Sequence, residues 1–206
     1  AYEPGSRVEL IKNPFWTGTE SHPVSKLDAI EVRMLDGSAA LAAFEAGELD
    51  TIDDVPLPDL PRLRVERPDE LYIGPGSCTY YYGFNVLKEP VNNVHMRRAL
   101  SLAIDRQTIV DAILQAGQQP AGFFTRPNYA AAATQEEYPD LGVRYDPDLA
   151  KQELELYFQE TGNTLETMPP ITLMYNTHES HAIIAQAVQQ MWKEVLGIEV
   201  TVANQE

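Results

Sequence analysis

The chain has 206 residues, 44% of them hydrophobic, enough to bury a core without metals or disulfides. Fifteen basic residues face thirty-one acidic ones, a formal net charge of −16 with no basic stripe. Such a surface repels phosphate backbones and anionic lipid heads, which excludes nucleic acid as a partner and reads first as solubility.

No apolar run is long enough to span a bilayer. The opening Ala1-Tyr2-Glu3-Pro4-Gly5 carries no basic or apolar region of a secretory leader. Arg7 to Ile11 alternates polar and apolar residues and predicts a strand, and Ile30, Val32 and Met34 predict a second. Ser38 is the expected N-cap of an Ala-rich helix stopping at Gly47. Leu49 to Ile52 predicts a short strand, after which Pro56, Pro58 and Pro61 limit any helix to about one turn.

Leu71–Ile73 and Thr79–Val86 read as strands joined by a turn at Gly74-Pro75-Gly76. The run Tyr80-Tyr81-Tyr82 suits a pleated strand with both faces covered. A helix is expected over Val94 to Ile104, with Met96, Leu100 and Ala103 on one face. Asp105 caps the next, whose stripe is Ile109, Val110, Ile113 and Leu114 and whose stop is Gly117. Gln118 to Tyr145 is aperiodic and reads as a long loop. Asp146-Pro147 opens another helix, closed by Gly162. Ile171, Leu173 and Tyr175 alternate as a strand. Thr177 is the expected cap of a long helix carrying Ile184, Val188, Met191 and Val195, ended by Gly197. Ile198, Val200 and Val202 form a last strand. Strand, helix and strand within some forty residues is the pattern of a parallel pair. The last strand runs into Asn204-Gln205-Glu206 without a closing turn, so the chain reads as a piece of a longer protein.

His178-Glu179-Ser180-His181 has the most catalytic look. Two histidines at i and i+3 share a helix face, but a zinc-protease helix needs i and i+4, and no third ligand is suggested. The plainer reading is a polar first turn with Glu179 near the positive end of the helix dipole. The pairs Asp53-Asp54 and Glu136-Glu137 read as solvated surface. Neither a G-x-S-x-G elbow nor a glycine-rich phosphate loop is present. The tyrosine run offers either strand packing or a ligand wall, since each ring joins an apolar body to a hydroxyl. Cys78 alone is most simply a small buried residue. Residue chemistry therefore leads to an acidic α/β domain without a catalytic signature.

From Cys78 the text reads Cys-Thr-Tyr-Tyr-Tyr-Gly-Phe-Asn, then Pro90, then Val94-His95-Met96-Arg97-Arg98-Ala99-Leu100-Ser101-Leu102-Ala103-Ile104-Asp105-Arg106. This resembles the family 5 extracellular solute-binding proteins of ABC transporters, the group of oligopeptide, dipeptide and nickel binders. Further matches follow in order along the chain: Gly5-Ser6-Arg7-Val8-Glu9-Leu10 with Asn13-Pro14 and Trp16; Ala46-Gly47-Glu48-Leu49-Asp50; Leu173-Met174-Tyr175-Asn176-Thr177; and Gln190 to Ile198. Departures are His95 where Arg is usual, Asn93 where Asp is usual, Val91 for Phe, and Gly83 for an acidic residue.

The resemblance implies a periplasmic-binding-protein-like α/β fold of type II, cluster C, with a mixed sheet flanked by helices. It implies that residues 1–206 cover most of the C-terminal lobe, with the N-terminal lobe and the C-terminal end of the parent absent. It implies capture of an oligopeptide in an interlobe cleft and delivery to ABC permease subunits, with no catalysis, cofactor or metal. The parent is expected to be a monomer outside the cytoplasm, periplasmic or on the cell surface. The ligand-side residues carried over are Cys78, Tyr81, Asn176 and His181, and Cys78 is implied to pair with a cysteine beyond Glu206. Alternatives are a relative tuned to a dipeptide, haem, nickel complex or oligosaccharide; a metal-dependent hydrolase using His178 and His181; and a structural domain without ligand.

Overall fold

A computed structural model describes residues 1–206 apart from Pro75, Ser77, Asn128, Asp140 and Glu206. The chain divides into two compact units, Ala1–Pro56 and Leu57–Glu206.

The first unit holds an antiparallel sheet of β1 (Tyr2–Glu3), β2 (Arg7–Ile11) and β3 (Ala29–Arg33), followed by α1 (Gly37–Glu45). The register pairs Tyr2 with Val8, Val8 with Val32 and Leu10 with Ile30, so alternation collects these apolar side chains on one face. The other face carries charge. Arg7 bridges Glu3 at 3.0 Å and Glu31 at 3.1 Å, and Arg33 reaches Glu31 at 3.1 Å and Glu48 at 3.3 Å. The hydrogen bond from Arg33 is the largest of the effects holding the Glu31 carboxyl below its usual range. Asp36, not Ser38, caps α1: its carboxylate accepts from Ala39 N at 2.8 Å, which leaves Ser38 inside the first turn. Leu49–Ile52 is not a strand.

The second unit contains a 3₁₀ turn (Leu57–Asp59), α2 (Leu60–Glu66), α3 (Val94–Leu102), α4 (Arg106–Thr108) and α5 (Pro147–Thr161). After these come β4 (Ile171–Tyr175), α6 (Glu179–Leu196) and β5 (Val200–Asn204). The prolines do not confine the first of these helices to one turn. Pro61 stands in the opening turn of α2, where a missing N–H costs nothing. Asn93 caps α3 by accepting from His95 N and Met96 N, and Asp105 caps α4 as expected. α4 runs on as a π-helical segment, Ile109–Leu114, and stops at Gln115, left-handed at φ 50°, two residues before Gly117. The stretch from Gln118 to Tyr145 holds no helix or strand among the described residues.

α6 carries the chain from β4 to the parallel strand β5, with Ile171 opposite Val200 and Tyr175 opposite Asn204. Its buried stripe is Ile184, Ala185, Val188, Trp192 and Leu196; Met191 and Val195 pack beside it half-buried. This stripe meets Met96, Ala99 and Leu100 of α3, Leu154 and Tyr157 of α5, and Leu173 of β4 in one core. Thr177 does not cap α6. The cap position is His178, whose side chain makes no capping bond, while Thr177 Oγ1 donates to Asn204 Oδ1 at 2.9 Å.

Leu71–Ile73 and Thr79–Val86 join no ladder among the described residues. Alternation specifies a pleated segment, but a strand exists only beside a hydrogen-bonded neighbour. Parallel and antiparallel pairing are both present, in two separate sheets. No helix among the described residues is long and apolar enough to cross a membrane.

Candidate functional site

The parallel pair ends at Tyr175 and Asn204, and α6 begins four residues after β4 closes. Polar and aromatic side chains gather at this carboxyl end, the place where open α/β sheets leave room for ligands. Gln205 N donates to Tyr175 O at 2.9 Å and prolongs the pairing past the last register pair. Asn176 and His181 are brought together: Asn176 Oδ1 lies 2.7 Å from His181 Nδ1. An amide oxygen only accepts, so Nδ1 is the protonated ring atom in this bond. Ser180 Oγ lies 2.8 Å from His178 Nδ1 in the same turn.

The two imidazoles lie tilted to each other with centroids 4.6 Å apart and planes at 32°, and Tyr80 stacks on His181 at 4.6 Å and 22°. Tyr80 in turn meets Tyr82 edge to face at 5.5 Å and donates its hydroxyl to the Tyr82 hydroxyl at 3.4 Å. Tyr82 packs against the hydrophobic core, and burial pushes its phenol pKa upward. The tyrosine ladder thus links the core to His181.

Tyr81 faces elsewhere. Its ring meets Phe124 at 5.1 Å and 75°, and Thr79 Oγ1 donates to Phe124 O at 3.0 Å. Cys78 is an exposed free thiol, not a buried one. Of the residues marked in the sequence, Asn176 and His181 therefore share one cluster, Tyr81 belongs to a neighbouring ring pair, and Cys78 stands in solvent. The sequence offers the tyrosine run whole as a ligand wall, but only Tyr81 of it is carried over as a ligand-side residue, and the Thr177–Asn204 bond is not foreseen. The signal for the other two tyrosines was present in the alternation of residues 80–82, which puts Tyr80 and Tyr82 on one side and Tyr81 on the other. The Thr177–Asn204 bond had no local signal, because its partners lie 27 positions apart.

Comparison with known proteins places this geometry in context. The chain matches, over residues 1–206, the family described as bacterial extracellular solute-binding proteins, family 5 middle. It is 33% identical to the oligopeptide-binding protein OppA of Bacillus subtilis, over 100% of this chain and 38% of that protein. It is 35% identical to the periplasmic oligopeptide-binding protein OppA of Salmonella typhimurium, over 97% of this chain and 36% of that protein. Among solved structures it is similar to Haemophilus influenzae OppA in complex with RPPGFSPFR, with a TM-score of 0.78 and 27% identity, covering 100% of this chain and 40% of that one. It is also similar to the Escherichia coli murein tripeptide binding protein MppA, with a TM-score of 0.73 and 32% identity, covering 87% of this chain and 35% of that one. The chain spans less than two-fifths of the length of the curated relatives it is compared with here.

Proposed function

Since the chain belongs to the family 5 bacterial extracellular solute-binding proteins, we propose that it serves, within a polypeptide of its relatives' length, to capture oligopeptides for an ABC importer. Its α/β architecture is of the type II periplasmic-binding-protein kind. The observation that carries the peptide reading is the Asn176–His181 pair, stacked under Tyr80 at the carboxyl end of the parallel strands. Such a cluster offers amide, imidazole and hydroxyl groups to main-chain polar atoms of an extended peptide, with aromatic faces for its side chains.

Residues 1–206 form most of one jaw, the C-terminal lobe, of a two-jawed receptor, and Cys78, Tyr81, Asn176 and His181 lie on its ligand side. The receptor works outside the cytoplasm as a monomer at the membrane surface, where its ligand-bound form is presented to the permease. ATP is hydrolysed by other subunits, and this chain performs no chemistry.

Calorimetry tests the reading. A polypeptide of the relatives' length that carries these residues should bind RPPGFSPFR, and the 206-residue chain should bind it weakly or not at all, because a one-jawed site buries little of the peptide. His181→Ala and Asn176→Ala should each weaken binding by about tenfold, the loss of one hydrogen bond to a polar ligand group. Mass spectrometry of ligand co-purifying with the long polypeptide identifies the class. A bound dipeptide, haem, nickel complex or oligosaccharide would replace the oligopeptide reading, and no change in affinity on either substitution would remove the site.

A further inference from the structure

We propose that Tyr80 is a positioning residue for His181: its ring stacks on the imidazole that Asn176 also holds by a hydrogen bond, and that clamp fixes the imidazole's direction for ligand. The proposal rests on the reading of His181 as a ligand-side residue. Tyr80 stacks on His181 with centroids 4.6 Å apart and planes at 22°, and the His178 ring lies tilted beside it at 4.6 Å and 32°. The 2.7 Å contact between Asn176 Oδ1 and His181 Nδ1 then removes rotation of the ring in its own plane. Three contacts from three places in the chain therefore set one side-chain direction. A half-buried histidine at the first turn of a helix would otherwise sample several rotamers.

The clamp needs an anchor, because Thr79–Val86 belongs to no sheet among the described residues. Backbone pairing does not hold Tyr80 in place; side chains do. Its ring meets Tyr82 edge to face at 5.5 Å, and Tyr82 is packed on the core that α3, α5 and α6 share. On the opposite side of the same segment, Tyr81 meets Phe124, and Thr79 bonds the Phe124 carbonyl. The segment is thus fastened from both sides, and the Tyr80 ring is delivered to the imidazole from a fixed base. His178 comes from the cap position of α6, with its own ring steadied by Ser180. Tyr80 stays 47% exposed while its ring covers one imidazole face.

Two readouts test the clamp. The first is the proton spectrum of the His181 imidazole in the 206-residue chain, where a stacked phenol ring shifts the carbon-bound ring protons upfield. Tyr80→Phe keeps the aromatic face and should leave those resonances nearly in place. Tyr80→Ala removes it and should move them downfield. The second is affinity for RPPGFSPFR in a polypeptide of the relatives' length. Tyr80→Ala should weaken binding about fivefold, the worth of one aromatic contact, and Tyr80→Phe should restore most of it. In a His181→Ala background, Tyr80→Ala should add no further loss, because the tyrosine acts through the histidine. Unmoved His181 resonances in Tyr80→Ala, or an equal loss with and without His181, would overturn the proposal. A distinct failure belongs to the ligand reading: if His181→Ala alone binds like the parent protein, the clamp serves no ligand at this residue, whatever the resonances show.

Discussion

The indole Nε1 of Trp192 donates a 2.8 Å hydrogen bond to the carbonyl of Leu100, 92 positions away in the chain. Leu100 sits in the last turn of α3, where carbonyls lose their intrahelical donors. Arg106 serves the same helix end, donating to Ser101 O at 3.1 Å and Ile104 O at 3.0 Å. The bond closes α6 onto the end of α3 inside the core. Trp192→Phe keeps an aromatic ring and leaves that buried carbonyl without its donor, at a cost of about 1–3 kcal/mol. Urea denaturation should show a lower midpoint at an unchanged slope.

Glu153 is the buried acidic residue of α5, at 6% exposure. His95 Nδ1 lies 2.5 Å from one of its oxygens and Arg98 Nη1 lies 3.0 Å from the other. His95 Nε2 also reaches Glu160 at 3.3 Å, and Asn93 donates to the same carboxylate at 2.9 Å. One imidazole of α3 thus stands between two carboxylates of α5. His95→Ala should destabilise the chain by about 1–3 kcal/mol, because it leaves a buried carboxylate with one of two partners. His95→Arg supplies a cation of greater reach with several donors and should stay within about 1 kcal/mol of the parent chain. Thermal unfolding of the two variants separates these outcomes; equal loss in both would show that packing and not hydrogen bonding holds the position.

Tyr82 gives an alkaline signature. Burial raises its phenol pKa in the folded chain, so the fold favours the neutral form. The unfolded chain releases that proton at about pH 10, the ordinary value. The folded state then binds more protons than the unfolded one, and stability falls as pH rises above that value. Below it, the contribution is fully present. Tyr82→Phe cannot ionise, so its stability should fall less steeply between roughly pH 10 and 11 than that of the parent chain. Parallel slopes for the two proteins in urea titrations across this range would refute the assignment.

Gly197 and Gly162 end α6 and α5 in the same left-handed conformation, at φ 70° and 73°. A side chain is strained at both, by roughly 1 kcal/mol. They differ in surroundings. A Cβ on Gly197 would stand 3.3 Å from Leu165 Cδ1, while a Cβ on Gly162 would meet nothing within 4 Å. Gly197→Ala should therefore lower the urea midpoint more than Gly162→Ala does, and the reverse order would mean that Leu165 moves aside freely.

Local chemistry was enough to read much of the second unit. Asp105, Asp146 and Gly162 mark helix ends because the capping carboxylate and the left-handed glycine act within a few residues of themselves. The strand–helix–strand run from Ile171 to Asn204 was legible for the same reason, since each period is written in its own segment. The family motifs around Tyr80 and Asn176 pointed to the region of the candidate site, and Asn176 and His181 lie only five positions apart, across the short link from β4 into α6.

Other features belonged to the tertiary structure alone. Leu71–Ile73 and Thr79–Val86 alternate like strands, yet pairing depends on what lies alongside, which no local pattern records. The choice of Tyr80 over Tyr81 as the ring on His181 depends on where β4 and α6 carry the histidine relative to a segment a hundred residues earlier. Trp192 on Leu100 and His95 on Glu153 are of the same kind. Sequence alone determined which segments coil and where they stop, because those forces reach three or four residues; only the packed core decided which distant side chains meet, because that follows from burying the apolar stripes of α3, α5 and α6 together.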